Sequence, residues 1–351
     1  MTDGRAVRAP DAAELVTLPA ERAVRLLALS LLDVMVEQHD SLVASDGSDA
    51  VHDFRVAVRR LRSCLRAYEP QLRGSVPRRA RRDLRKLADA AGDRRDLDVR
   101  LAWLAEQRAT LTRREQVGAE ALRAMLDTRR VEASDVLRRA LAKRFARAVD
   151  RLRTRLAVYE TTVQPEGDGR TESFAAIAAE HARALGEALE ERLTDVHTVD
   201  DDAAAHRARI TAKRLRYLLE PIRAVIPDGA ELIEQLTSLQ DTLGELHDAH
   251  VFAADLIAAV PAIAGEHARQ ESLVAFEEGP LGADMRRVRR LNPRAGLIAL
   301  GMRLRRRADD AFATAASEWL GGRDEAFEAR LRAACEALAS QGTRAVRIHH
   351  A

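Results

Sequence analysis

Apolar residues recur along most of the chain at spacings of three and four, which is the period of an amphipathic helix. The alternation of apolar and polar positions that is typical of strands is not found. The sequence therefore predicts an all-α fold. The predicted helices cover about 19–43, 50–68, 78–108, 112–158, 172–193, 203–225 and 230–260, with further helices after a less regular region around Pro280 and Pro293.

Proline and glycine divide this helical pattern. Pro70 ends the second predicted helix, and the stretch 161–171, which contains one proline and two glycines, is predicted to be a linker. The resulting scheme has a flexible N-terminus (1–18), a first helical half (19–160), the linker, a second helical half (172–320), and a C-terminal helix and tail (321–351).

Two blocks of sequence occur twice in the same order. The first, His52-Asp-Phe-Arg-Val-Ala-Val-Arg-Arg-Leu-Arg62, aligns with His206-Arg-Ala-Arg-Ile-Thr-Ala-Lys-Arg-Leu-Arg216 at an offset of 154. The second pairs 84–99 with 236–251 at an offset of 152, with matching leucines, aspartates, glycine and valine. Two matched blocks at nearly one offset indicate an internal duplication.

Composition narrows the class of protein. Hydrophobic residues make up 46% of the chain, enough for a sizeable core, and aromatic residues only 3%. Charged residues reach 32%, but the formal net charge is +2, so any anion site must come from local segregation of charge. Two distant cysteines, the lack of an apolar leader and the lack of an uninterrupted run of 18 apolar residues predict a cytoplasmic protein with no membrane association.

The first repeated block places basic side chains on one face of a helix. Spacings of 3, 4, 3 and 4 residues keep them within an arc of roughly 80°. This first basic row consists of His52, Arg55, Arg59, Arg62 and Arg66. The second basic row consists of His206, Arg209, Lys213 and Arg216. Glu220 stands where a fifth cation would be, which predicts that the second row is shorter or is closed by an ion pair.

The simplest alternative is that these faces are solvated, because most arginine-rich helix faces are paired with acids one turn away. Like charges one turn apart destabilise a helix. The same destabilising arrangement occurs in both repeats, and its arginine side chains have a planar fork that fits phosphate oxygens. Together these features favour the interpretation of the two rows as an anion site. Further candidates are Arg60, Arg214, Arg78, Arg82, Arg85, Lys86, Lys143 and Arg144. For 78–86 an extension of the site and a solvated face are equally open, and for 143–144 a solvated face is favoured.

The second repeated block is predicted to support the basic rows. Gly92 and Gly244 lie within helical pattern, where glycine costs up to about 1 kcal/mol relative to alanine, so we expect close helix crossings there. Ion pairs to the rows are expected from Asp89, Asp96, Asp241 and Asp248. A metal site at His247 and His250 is an alternative, but no known ligand pattern is matched. We therefore predict no metal and no cofactor.

These segments resemble the CHAD family, the conserved-histidine α-helical domain, over roughly residues 19 to 320. The matching segments are HDFRVAVRRLRSCLRAYEP, HRARITAKRLRYLLEPI, LRKLADAAGDRRDLDV and LTSLQDTLGELHDAHV. The resemblance implies two four-helix-bundle-like halves related by pseudo-twofold symmetry, with inorganic polyphosphate bound in a basic groove between them. The binding residues that it implies are His52, Arg55, Arg59, Arg62, His206, Arg209, Lys213 and Arg216. Some family members carry a fused triphosphate tunnel domain, and the lack of a β-rich segment here predicts a stand-alone form.

We therefore expect a polyphosphate-binding module that is not an enzyme, and the resemblance adds an association with polyphosphate granules. Two alternatives stay open. One is an interaction module for phosphorylated or acidic partners or for nucleic acid, although few aromatic side chains are available to stack on single strands. The other is a phosphate-handling enzyme that uses a histidine, although no glycine-rich phosphate loop, Mg²⁺-binding carboxylate cluster or nucleophile motif is found.

Overall fold

The computed structural model describes residues 11–72, 74–158, 172–278, 282–321 and 325–348. Within these ranges the fold is all-α, as predicted, and the only β feature is an isolated bridge between Pro19 and Ser173. The helices are α1 (Ala12–Thr17), α2 (Ala20–Ser45), α3 (Ser48–Ala67), α4 (Glu69–Leu72), α5 (Arg78–Arg108), α6 (Arg113–Ala157), α7 (Phe174–Thr194), α8 (Asp202–Leu219), a 3₁₀ helix (Glu220–Val225), α9 (Gly229–Glu278), α10 (Ala283–Arg290), α11 (Arg294–Glu318) and α12 (Glu325–Ile348).

Two expectations about the N-terminus and the linker have different outcomes. Residues 12–17 were expected to be flexible, and this is wrong, because α1 buries Leu15 and Val16 against α7, α12 and the 3₁₀ helix. A helix of only six residues is too short to show a clear helical period in the sequence. The predicted linker, 161–171, lies outside the described residues, as do residues 1–10.

Two helix ends in the second half differ from prediction. The helix expected over 203–225 changes to 3₁₀ geometry at Glu220, because Pro221 cannot donate a backbone hydrogen bond. The next helix, α9, continues past its expected end at 260 and runs through Pro261. Ala259 and Ile263 are buried on either side of this proline, and their packing holds the helix together across the missing hydrogen bond.

Six of the helices form a closed ring of packed neighbours. In the first half α3 packs on α5 and α5 on α6, and in the second half α8 packs on α9 and α9 on α11. Contacts of α3 with α8 and of α6 with α11 join the two halves. Each half thus uses the same order of packing, with α2 against α3 and α7 against α8 on the outside of the ring.

Two hydrophobic clusters stabilise the ring. The larger one includes α2, α3, α7, α8 and α12, the first halves of α5 and α9, and the second halves of α6 and α11. The smaller one joins the far halves of α5 and α9 to α6 and α11. Trp103 and Phe252 meet edge to face in this second cluster, with ring centroids 5.1 Å apart. The helices that carry the basic rows, α3 and α8, are held by the larger of the two clusters.

The α6–α11 contact depends on two glycines. A Cβ on Gly118 would lie 2.3 Å from the carbonyl oxygen of Pro293, and one on Gly296 would lie 2.0 Å from that of Glu115. Real Cβ atoms do not approach a backbone oxygen this closely. Backbone meets backbone here, so the ring closes only because neither position has a side chain.

One helix, α9, is long and apolar enough by length and composition to be a candidate membrane span among the described residues. Its richest 18-residue window has a mean hydropathy of 1.4, and 28% of that window is buried inside the protein. The sequence search for uninterrupted apolar runs did not identify it, because charged and histidine residues interrupt the helix. Length and composition alone are weak evidence for a span, since the core helix of a soluble protein passes the same test.

Candidate anion-binding site

The first basic row lies on α3 as predicted, beside a fully buried apolar face. Phe54, Val58 and Leu61 are 0% exposed and pack into the larger core. The cations of the row are displaced from these residues by about a quarter to a third of a turn, so they reach the surface between α5 and α8. Packing on one face therefore fixes the direction of the basic face.

Two contacts join α3 to the last turn of α8 and to the start of the 3₁₀ helix. The Nε of Arg59 donates a hydrogen bond to the hydroxyl of Tyr217 at 3.0 Å. The Nη2 of Arg60 lies 2.6 Å from Oε1 of Glu220, and this is the ion pair that the glutamate in the second row predicted. One end of the crossing is therefore closed by a neutralising pair.

Tyr217 connects the two basic helices, and sequence reasoning missed it. Its ring has the guanidinium carbons of Arg59, Arg60 and Arg216 at 5.9, 5.8 and 5.0 Å from its centroid, within the range of cation–π attraction. Its counterpart in the first repeat is Ser63, so the comparison of repeats gave no signal. One tyrosine set among arginines was the only clue available from the sequence.

Lys213 lies half-buried on α8 where the charges of both rows meet. Burial lowers the pKa of its amine to about 6, and the charges of Arg59, Arg209, Arg55 and Arg216 act in the same direction. Among the described residues no carboxylate forms an ion pair with Lys213. Burial likewise lowers the pKa of Arg59, with Arg55 and Arg209 contributing, so each row responds to the charge of the other.

The opposite end of the crossing is open and cationic. Burial lowers the pKa of Arg214, and the charges of Arg66 and Arg192 lower it further, so guanidiniums from α3, α7 and α8 converge there. Arg66 and Arg214 have no carboxylate partner within the described parts of the chain. In the sequence repeat, Arg60 corresponds to Arg214, and Arg66 corresponds to Glu220. The same pair of positions therefore forms an ion pair at one end of the crossing and brings two unpaired cations together at the other.

The histidines of the two rows each lie in the second turn of their helix, where His52 is exposed and His206 is half-buried. His52 lies near Arg95, which donates a hydrogen bond to Oγ of Ser48 at 2.6 Å. In the second half, the His206 ring lies 4.0 Å from that of His247, which contacts Oδ1 of Asp202 at 2.8 Å.

Desolvation is the main cause that lowers the pKa of both histidines at the row starts. The charge of Arg95 adds to it at His52, and that of His247 adds to it at His206. Both rings are therefore less readily protonated than a free imidazole while the site is empty of anions.

The repeated glycines lie next to arginine side chains, which corrects the expected role in close helix crossings, but only Gly244 is tightly packed against its arginine. A Cβ on Gly244 would lie 3.0 Å from Nη2 of Arg209, and one on Gly92 would lie 3.7 Å from Nε of Arg55. The nearest neighbours are therefore side chains of the basic rows. Sequence periodicity cannot distinguish a glycine that lies next to an arginine side chain from one that lies next to another helix backbone.

The repeated aspartates contribute unequally. Asp96 pairs with Arg55 at 3.3 Å, as predicted, and the charge of Asp89 raises the otherwise lowered pKa of Arg62. Asp241 and Asp248 are exposed and form no ion pair within the described residues. Instead, Arg209 donates to the backbone oxygen of Gln240 at 3.4 Å, so the second row keeps more of its positive charge.

The remaining candidate cations fall into two groups. Arg85 lies close enough to Arg62 to lower its pKa and so extends the first row, whereas Arg78, Arg82 and Lys86 are exposed on the first turns of α5. The candidate Arg144 is instead committed to structure, because its Nη1 lies 2.9 Å from the buried carboxylate of Asp83 between α5 and α6. Arg151 binds the other oxygen of Asp83, and Lys143 is exposed on α6.

A cavity of about 920 Å³ lies beside the histidine end of the first row. Arg95 lines it from α5, and Arg306 and Arg307 line it from α11, together with acidic side chains such as Glu106 and Glu245. The cavity is therefore of mixed charge, unlike the crossing of α3 and α8. The two histidines of the earlier metal alternative, His247 and His250, are separately engaged with Asp202 and the backbone of Val199.

Comparisons with known proteins agree with this arrangement. The family model described as CHAD domain matches residues 27–256. The crystal structure of the CHAD domain from the plant Ricinus communis is similar, with 22% identity, a TM-score of 0.55, and coverage of 94% of this chain and 96% of that one. PptA from Streptomyces chartreusis has 16% identity, a TM-score of 0.57, and coverage of 88% and 99%. A search of curated proteins finds no match.

The structural neighbours support the fold, and the family model covers both basic rows and both glycine–aspartate blocks. The chain therefore belongs to the CHAD domain family.

Proposed function

We propose that this protein binds inorganic polyphosphate along the crossing of α3 and α8, without a catalytic step. One observation carries the proposal: arginines of both rows surround half-buried Lys213 at a place with few carboxylates, where burial and their charges lower the pKa of its amine. Holding like charges together in this way costs stability. A bound polyanion would remove that cost, because its negative charge raises the pKa of Lys213 again.

The physical basis of binding is the match between closely spaced phosphoryl charges and closely spaced guanidiniums. Arginine binds phosphate oxygens through charge-assisted and often bidentate hydrogen bonds. At 1.5 Å per residue, the first row spans about four turns, or roughly 20 Å, and the second about three turns, or roughly 15 Å. A chain long enough to contact both rows gains further, because its second contact is intramolecular.

The test is a measurement of affinity against polyphosphate chain length at two salt concentrations. We expect long chains to bind much more tightly than triphosphate, and the affinity to fall steeply with salt because counterions are released. Equal affinity for triphosphate and long chains would contradict a site that spans both rows.

A competition experiment separates the proposal from its alternatives. Unlabelled DNA, RNA and a phosphorylated acidic peptide are each added to a labelled polyphosphate complex at the same concentration of charge. We expect polyphosphate to compete best, and preferential competition by a nucleic acid or by the peptide would favour that partner instead. Phosphate release from polyphosphate, proportional to protein and absent in His52→Ala, would favour the enzyme alternative.

The proposal extends to the cell. A polyphosphate-binding protein in the cytoplasm is expected to collect on polyphosphate granules. A fluorescent fusion that stays diffuse in cells containing granules would contradict this extension and leave binding itself untouched.

A further inference from the structure

The chain has only three lysines, and their surroundings differ sharply. Lys86 on α5 and Lys143 on α6 are exposed, whereas Lys213 on α8 is half-buried at the crossing with α3. Its counterpart in the first row is Arg59, so the second half has an amine where the first has a guanidinium. An amine has a chemistry that a guanidinium lacks, because once it is deprotonated it is a nucleophile.

Burial and the charged groups that face Lys213 lower the pKa of its amine. Helix α3 contributes Arg55 and Arg59, and α8 itself contributes Arg209 and Arg216 one turn away on either side, with His206 beyond. The acids on neighbouring helices are directed elsewhere or exposed. Asp96 of α5 pairs with Arg55, and Asp241, Glu245 and Asp248 of α9 lie exposed without an ion pair to this residue.

The other polar groups of the helices packed against α8 face the arginines. The backbone oxygen of Gln240 and the hydroxyl of Thr237, both on α9, accept hydrogen bonds from Arg209 and Arg216. On α7, Arg192 contacts Thr211. No anionic group therefore stabilises the ammonium form of Lys213 within the described structure, in accord with a pKa of about 6.

We propose that Lys213 is an acylation site, at which small acyl phosphates transfer their acyl group to the side-chain amine. The nitrogen lone pair attacks the carbonyl carbon, and the bond between that carbon and the phosphate oxygen breaks. Phosphate leaves with this electron pair and takes up the proton released by nitrogen. The products are an amide and inorganic phosphate, so no further reactant is needed.

Two features of the crossing favour this reaction over reaction at the other lysines. The first is the neutral amine, which is the reactive form near pH 7. The second is the surrounding set of arginines, which can hold the phosphate group of the reagent by charge-assisted bonds and stabilise it as it leaves. Lys86 and Lys143 also have arginines one turn away on their own helices, but both lysines are exposed to water, so burial does not favour the neutral amine there.

The experiment uses the full chain incubated with acetyl phosphate at pH 7, with acetylation of the three lysines followed over time by mass spectrometry. Lys86 and Lys143 serve as internal controls. At pH 7 roughly one in 2,500 lysines of ordinary pKa is neutral. Lys213 has a much larger neutral fraction, but its less basic amine is also a weaker nucleophile, which offsets part of that advantage. We expect Lys213 to react about tenfold faster than either control. Equal or slower reaction would overturn the proposal.

A second comparison tests the role of the arginines. An uncharged acylating ester, which offers no phosphate to hold, should show a smaller preference for Lys213 than acetyl phosphate does. An equal preference with both reagents would show that the arginines do not hold the reagent, and would overturn that part of the proposal. Lys213→Arg keeps the charge and removes the amine, so it should lose this acetylation.

The inference shares its arginines with the proposed function, but it can fail or succeed separately. Polyphosphate binding is measured on the same samples, and long polyphosphate should protect Lys213 from acetylation. If polyphosphate binds and Lys213 is inert, the acylation site is wrong and the proposed function stands. If Lys213 reacts selectively and polyphosphate neither binds nor protects, the proposed function is wrong and the acylation site stands.

Discussion

Lys213 is the residue through which pH should control anion binding. Its pKa of about 6 in the free protein means that it is mostly uncharged above pH 6. A bound polyanion raises that pKa, so binding above pH 6 must be accompanied by proton uptake. The sign follows directly: affinity is greatest at and below pH 6 and falls as pH rises, by at most about tenfold per unit for one proton.

The measurement is polyphosphate affinity between pH 6 and pH 8 for the wild type and for Lys213→Arg. The arginine stays charged throughout, so the variant should show a weaker dependence on pH and a higher affinity at pH 8. The histidines of both rows also have lowered pKa values and contribute in wild type and variant alike. Identical slopes would show that Lys213 does not take up a proton on binding.

Gly244 is a second position at which one residue controls the site. In Gly244→Ala the new methyl group would lie 3.0 Å from Nη2 and 3.1 Å from Nε of Arg209, so the guanidinium must move. We expect polyphosphate affinity to fall several-fold while stability changes little, because alanine also favours the helix by up to about 1 kcal/mol.

Gly92→Ala is the matched control at the equivalent position. Its methyl group would lie 3.7 Å from Nε of Arg55, which is an ordinary contact. Binding should therefore be unchanged and the helix slightly more stable. Affinity and melting temperature of the two variants are measured together, and equal losses of affinity would contradict the specific role assigned to Gly244.

At the scale of helices, the closure of the ring depends on the α6–α11 contact. In Gly118→Ala the methyl group meets the backbone at 2.3 Å, so the two helices must separate. Overpacking of this kind typically costs about 1–3 kcal/mol and sometimes more. We expect a clear loss of unfolding free energy, measured by chemical denaturation.

The control for this contact is Gly265→Ala in α9, where a methyl group would meet nothing within 4 Å. This substitution should stabilise the protein by up to about 1 kcal/mol, because it changes only helix propensity. A Gly118→Ala protein as stable as this control would show that the crossing tolerates a side chain and that ring closure does not depend on it.

At the scale of the whole molecule, the two basic rows are expected to bind one polyanion together. The formal net charge of +2 would not attract a polyanion, so binding has to depend on how the fold segregates charge. Charge reversal of Arg59 with Arg62, or of Lys213 with Arg216, should each weaken binding of long polyphosphate by at least about tenfold, since each removes one row from a shared site.

The control for charge reversal is the pair Arg129 and Arg139, which are exposed on α6. Reversing them changes the net charge by the same amount, and polyphosphate affinity should change little. Affinity is measured at two salt concentrations, and the salt dependence should become shallower only in the variants of the basic rows. Equal effects of all three double variants would indicate attraction by net charge alone.

The whole molecule is also asymmetric where the two copies of the sequence repeat differ. Arg60 pairs with Glu220 at one end of the crossing, whereas Arg66, Arg214 and Arg192 converge without an acid at the other. The duplication remains an interpretation of the sequence repeat, although the order of packing is the same in both halves. One substitution, arginine to glutamate at the end of a row, is enough to make two similar halves contribute differently.

The sequence by itself determined the fold class, most helix boundaries and the basic rows. Helical periodicity and side-chain spacing are local properties, so they place Arg55, Arg59 and Arg62 on one face whatever the rest of the chain does. The repeat added the equivalent face of α8, and of the two outcomes expected at Glu220, a shorter row or an ion pair, the structure has an ion pair with Arg60.

Only the tertiary structure decided which residues from distant segments meet. Tyr217 became part of the site because α3 crosses α8 at that turn, and Arg144 left it because its helix brings it to buried Asp83. Gly244 makes room for an arginine side chain and not for the backbone of another helix. Which of the two lies next to it depends on how α8 and α9 are positioned along each other. Spacing along a helix is set by the chain itself, but distances between helices are set by how the whole core packs.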